Sequence, residues 1–283
     1  MSLIQALLEF DFMRYSFISG MLIGILAPLI GTFIVVRRLS LIADALSHVT
    51  LGGIAFGMLL SKVIAVAINP IWTGILFSVV GSLLIEKLRS LYRHYQELAI
   101  PIIMSFGIGL SVIFISFADG FNQDLFGYLF GSISAVTLND VFIILAIFLM
   151  VIVFIYILYK ELFILSFDEE YAAIIGVPKF VHILFMLMTA LVISASMRVV
   201  GILLVSSLIT LPVASSMRFA KGYKQLMFWS VMIGEISVVL GLTIAFYLNI
   251  SPGGVIVMLL VIILLIALSV SNMRERGGVT REY

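Results

Sequence analysis

The feature that most limits the possible folds is a succession of long apolar runs. They cover Phe17–Val36, Leu41–Leu60, Ile64–Leu84, Ile100–Phe117, Val141–Tyr159, Phe180–Met197, Val199–Met217, Leu226–Leu248 and Val255–Val270. As a helix, a run of about 20 apolar residues matches the hydrocarbon thickness of a bilayer. In lipid only helices and closed barrels satisfy every backbone polar group. A barrel would alternate over short segments, which these runs do not do. With 63% hydrophobic and 11% charged residues, a chain of 283 residues cannot clothe a water-facing surface. The expected fold class is all-α, a polytopic helical membrane protein with about eight or nine transmembrane helices. Nine spans suit the charge pattern, and fewer suffice if the segment holding Pro212 fails to cross.

Three regions follow. Residues 1–15 read as an amphipathic helix on the membrane surface, with Glu9 and Asp11 arguing against a cleavable signal. Residues 16–272 form the transmembrane domain and residues 273–283 a polar tail. Leu125–Val136 is too short to cross and reads as re-entrant or interfacial. Of the 16 Lys and Arg, all but Arg14, Lys62 and Arg198 fall on one side of this topology, which makes that side cytoplasmic and the N-terminus external. A net charge of +1 gives no reason to expect nucleic acid, and the absence of Cys removes disulfides and thiol chemistry. GxxxxGK[ST], HExxH and GxSxG are all missing, so neither nucleotide hydrolysis by a P-loop nor the commonest intramembrane or surface hydrolase chemistry is expected.

Within this apolar background a few polar residues stand out. Asp44 and His48 lie four apart in the second run, on one helical face and one turn apart. Ionisable groups at membrane depth mark partners, cavities or ion paths, and carboxylate and imidazole are ligands for first-row divalent metals. The pair is a candidate metal site, or else a structural hydrogen-bonded pair. In the loop 160–179, Asp168, Glu169 and Glu170 open an Ala-rich stretch that ends at Gly176 before Pro178, the signals of a short helix. Such a helix docks a soluble partner or packs on its own bundle. Ser206, Ser207 and Pro212 mark a small-residue segment broken at the proline, which lines a pathway or serves as a kinked packing helix. Glu235, inside the eighth run, is a proton or cation site or an ion-pair partner. His182 and His94 are left as structural. The pairs Gly20/Gly24, Gly53/Gly57 and Gly127/Gly131 match a helix-packing motif and support packing alone.

Taken together, "GTFIVVRRLSLIADALSHVTLGGIAFG", "LFGYLFGSISAVT" and "RVVGILLVSSLITLPVASSMRFA" resemble signature segments of the ABC-3 family, the permeases of bacterial zinc and manganese ABC importers. The resemblance runs from about Gly20 to Val270. It implies a multi-pass protein of the bacterial cell (inner) membrane that works as a homodimer. It also implies a cytoplasmic ABC ATPase pair, and an extracellular metal-binding lipoprotein or periplasmic binding protein. No cofactor is bound permanently, and Zn2+ or Mn2+ is the cargo. By position, Asp44 and His48 contact the metal, while the stretch with Asp168, Glu169, Glu170 and Gly176 couples to the ATPase. Gly52 stands where manganese-type members carry Pro, which favours zinc over manganese. A gradient-driven secondary metal transporter, with Asp44 and Glu235 as its ion sites, is the alternative.

Overall fold

The computed structural model describes residues 3–64, 69–92, 94–118 and 123–277. Helix α1 (Leu3–Glu9) is followed by α2 (Asp11–Val36), α3 (Leu41–Ile64), α4 (Pro70–Leu91), α5 (Ala99–Phe117), α6 (Gln123–Phe130) and α7 (Leu138–Ile157). Then come α8 (Tyr159–Phe167), α9 (Glu169–Ile175), α10 (Lys179–Val200), α11 (Ile202–Ser216), α12 (Tyr223–Leu248) and α13 (Pro252–Gly277). Among the described residues eight helices, α2, α3, α4, α5, α7, α10, α12 and α13, are long and apolar enough to cross a membrane, α5 together with the 3-10 turn at Gln96–Leu98. The chain is a polytopic helical membrane protein.

The ninth expected span is α11. Its 15 residues rise about 22 Å, short of the hydrocarbon core. It nonetheless runs the depth of the bundle. Gly201, just before it, lies against Phe130 and Gly131, while Met217, just after it, lines a cavity with Arg37 and Glu169. Packed on α2, α13, α12 and α3, it shows little of its short length to lipid. The expected break at Pro212 is not there. Pro212 sits inside α11, and the break falls at Gly201, whose φ of +89 is open to glycine at little cost.

Other boundaries moved for identifiable reasons. The surface helix expected over residues 1–15 stops at Glu9, and α2 begins at Asp11, an acidic residue at its positive end. Helix α4 runs on to Leu91 through Glu86 and Arg89, which the sequence placed in a polar loop. Arg89 is buried there because its charge is paired. Of the expected re-entrant stretch Leu125–Val136, only 125–130 is helical. Helix α13 continues to Gly277, and residues 278–283 of the expected tail lie outside the described residues, as do Arg93 and Asn122.

Two polar knots fix the ends of the bundle. At the end holding Arg14, Lys62 and Arg198, Arg198 Nε donates to the buried Asp140 Oδ2 at 3.0 Å and its guanidinium lies 4.9 Å from the Tyr128 ring. Asp140 also completes a capping box with Thr137 at the start of α7. At the opposite, basic end Arg37, Glu86, Arg89, Glu169 and His182 converge.

Helix α3 is held mainly by α5 and α4. Gly53 and Gly57 lie against Thr73 and Phe77 of α4, and Gly107 of α5 lies against Val49 and His48. A Cβ on Gly107 would stand 2.7 Å from Val49 N and 3.0 Å from the His48 carbonyl carbon, so backbone must move. A Cβ on Gly109 meets nothing within 4 Å. Gly107→Ala is therefore expected to cost about 1–3 kcal/mol by overpacking, seen as a lower Tm in detergent. Gly109→Ala is expected to hold or raise Tm, since Ala is about 1 kcal/mol better in a helix. Equal Tm for the two variants would contradict this α3–α5 contact.

Candidate metal path and coupling surface

Asp44 lies in the first turn of α3 and His48 one turn on, both half-buried. The short turn from α2 sets where α3 starts. Arg37 caps α2, Arg38 takes a left-handed φ of 59, and the Leu39 amide donates back to the Ile34 carbonyl at 3.0 Å. This is a Schellman-type closure with Arg in the place usually given to Gly. The α3 backbone is clamped next to the pair, because Ser111 Oγ of α5 donates to the His48 carbonyl at 3.0 Å and to the Gly107 carbonyl at 2.7 Å.

The two side chains, by contrast, make no hydrogen bond or ion pair among the described residues. The alternative of a structural pair bonded to a neighbouring helix therefore finds no partner among the described residues. Nor do the described residues contain any group of three or more His, Asp or Glu able to hold a metal ion. One chain thus offers one carboxylate and one imidazole, both open. A divalent metal held by these two alone would need further ligands, since Zn2+ takes four.

The other polar positions do different work. Glu235 lies on the α2 side of α12, its carboxylate against Gly24 with Oε2 buried and unbonded. It is not brought to Asp44 and His48. Ser206 and Ser207 are half-buried on α11, the Ser206 carbonyl accepting from Thr210 Oγ1 at 2.8 Å. Pro212 is buried, and its carbonyl accepts from Ser216 Oγ at 2.8 Å. Gly52, which bore on the choice of metal, lies against Ser111 and Leu110 of α5. A proline there would remove a helix hydrogen bond and alter α3–α5 packing while leaving the ligands unchanged.

The short helix expected in the 160–179 loop is α9. Asp168 is its N-cap, accepting from the Tyr171 amide at 2.9 Å, and Gly176 ends it at φ +93. Tyr171, Ile174 and Ile175 stand exposed on it, Ile174 at 81%. Glu170 is also exposed. Glu169 turns toward the bundle, where Arg89 Nη2 donates to Oε2 at 3.1 Å and Arg37 Nη2 lies 3.5 Å away. Partial burial pushes its carboxyl up, but Arg89, His182 and Arg37 together hold it below the usual carboxylate range. Sequence reasoning passed over His182, Arg89 and Glu86. Nothing in the order of residues signals that α4 and α10 bring them to Glu169.

The caps give α9 its shape, and each is expected to contribute about 1 kcal/mol. Asp168→Ala and Gly176→Val should each speed proteolytic cleavage within residues 167–178 about fivefold in membranes opened at the basic face. Cleavage at the unmodified rate in both variants would show that the caps do not hold α9.

The sequence matches the ABC 3 transport family over residues 9–271. It is 33% identical over 93% of each chain to the manganese import system permease protein ScaB of Streptococcus gordonii. Identity is 30% to the manganese transport system membrane protein MntC of Listeria monocytogenes, over 94% of this chain and 93% of the other. A solved structure described as PsaBC from Streptococcus pneumoniae in complex with Fab superposes with a TM-score of 0.80 at 32% identity, over 94% of each chain. An all-helical multi-pass architecture, the signature stretch around Asp44 and His48 and a match across nearly its whole length together make this chain a member of the ABC 3 transport family.

Proposed function

We propose that this chain is the membrane permease of an ATP-driven importer for a divalent first-row transition metal, and that Asp44 and His48 contact the ion on its way through. The observation that carries the proposal is the open pair on α3. A carboxylate in a membrane-spanning helix is costly unless it faces a partner, a cavity or an ion. Among the described residues no hydrogen bond or ion pair satisfies this one. Two copies of the chain related by a two-fold axis supply two carboxylates and two imidazoles, enough to close a four-ligand site. Oxygen and nitrogen donors without thiolate suit a site that must also release its ion.

The cargo follows from the ligand set and from the relatives. Carboxylate and imidazole accept both manganese and zinc. The relatives named for a metal above are named for manganese, which supports manganese as cargo over the zinc that Gly52 favoured. Zinc competes at the same ligands. The basic end faces the cytoplasm by its excess of Lys and Arg. There α9 offers Tyr171, Ile174 and Ile175 to a soluble ATPase pair, and a metal-delivering protein docks at the opposite end. Ser206, Ser207 and Pro212 on α11 line the route inward. The gradient-driven alternative draws its support from the buried Glu235 carboxylate, which stands apart from the pair.

Accumulation of radioactive Mn2+ in cells lacking their own permease tests the reading. Asp44→Ala or His48→Ala is expected to bring uptake down to the level of cells without the permease, with membrane abundance unchanged. Uptake by the unaltered chain should stop when ATP is depleted and survive collapse of the proton gradient. Alanine variants that accumulate both metals at the unaltered rate would overturn the role of the pair. Uptake that persists without ATP would favour the gradient-driven alternative.

A further inference from the structure

The basic-end knot holds more charge at closer range than packing α9 on the bundle requires. Arg37 and Arg89 have side chains only 4% and 8% exposed, and both reach Glu169 Oε2, at 3.5 and 3.1 Å. His182 of α10 fills the centre. Arg37 Nη2 lies 2.6 Å from its Nδ1, so Nδ1 accepts and Nε2–H donates to Glu86 Oε2 at 2.6 Å. Two guanidinium groups and two carboxylates thus meet around one imidazole. The two guanidinium groups are buried, so each depends on these carboxylates for its pairing.

The partners of Glu169 also connect the two parts of the proposed machine. Arg37 begins the four-residue turn from α2 to α3, and Asp44 sits only about 5 Å along α3 from its first residue. Arg89 belongs to α4, against which α3 packs. One carboxylate on α9 therefore grips both the turn that starts α3 and a helix that supports it. A cavity of about 850 Å³ lined by Arg37, Glu169 and Tyr223 leaves room beside the grip.

We propose that Glu169 is a positioning residue, a latch that carries displacement of α9 through Arg37 and Arg89 to the Asp44–His48 pair on α3. This rests on the permease reading, and it separates two jobs within α9. The exposed Tyr171, Ile174 and Ile175 hold the ATPase, while Glu169 transmits its stroke.

The test measures Mn2+ moved per ATP hydrolysed by the complete importer in proteoliposomes. Glu169→Gln keeps the shape of a half-exposed side chain and removes its charge. It is expected to lower the ratio about tenfold while the ATPase still co-purifies. Arg37→Gln should do the same, and the double variant should fall no further than the worse single variant, because both remove one link. Ile174→Asp should instead lose the ATPase from the purified complex. A normal ratio in Glu169→Gln, or losses that multiply in the double variant, would overturn the latch. If the unaltered importer moves no Mn2+ with ATP, the permease reading fails and takes the latch with it.

Discussion

The structure turns on an ionisable pair in a membrane helix that makes no hydrogen bond or ion pair among the described residues. Asp44 and His48 stand on α3 with their backbone fixed by Ser111 and Gly107 and their side chains free. At the two ends of the bundle charges are paired. Asp140 takes Arg198, and Glu86 and Glu169 take Arg89. The pair that we propose contacts the metal has no such partner among the described residues.

Close backbone approach is what holds the open pair in place. Glycines let α4 and α5 come near enough to α3 to fix its position without contributing side chains to its ligand face. The same device closes the far end, where Gly131 and Gly201, both at positive φ, lie backbone to backbone between α6 and α11. Rigidity around the pair and charge pairing at the basic end are complementary. The first fixes the backbone that carries Asp44 and His48, and the second ties α9 to the turn that starts α3.

Much of this was legible in the sequence, in proportion to how local each signal is. The apolar runs placed the spans, because lipid allows a helix few alternatives. Asp168 and Gly176 marked the ends of α9, because caps act within a few residues. Asp44 and His48 showed themselves by one-turn spacing in an apolar run. Charges paired through space were not legible. Arg89 and Glu86 looked like loop residues until α10 supplied His182. Pro212 looked like the break in its span, yet α11 absorbs it, and the chain bends at Gly201 where Phe130 and Gly131 press against it. Glu235 read as a proton or cation site or an ion-pair partner, and its place on the α2 side of α12 follows from packing that no periodicity reports.

The central claim is that one metal ion is shared by two copies of the open pair. The most direct measurement is equilibrium binding of Mn2+ to the purified permease, combined with X-ray absorption at the metal edge. The account predicts one ion for every two chains with imidazole nitrogen in its first shell, and loss of that nitrogen signal in His48→Ala. One ion per chain, or a shell of oxygen alone in the unaltered protein, would contradict it.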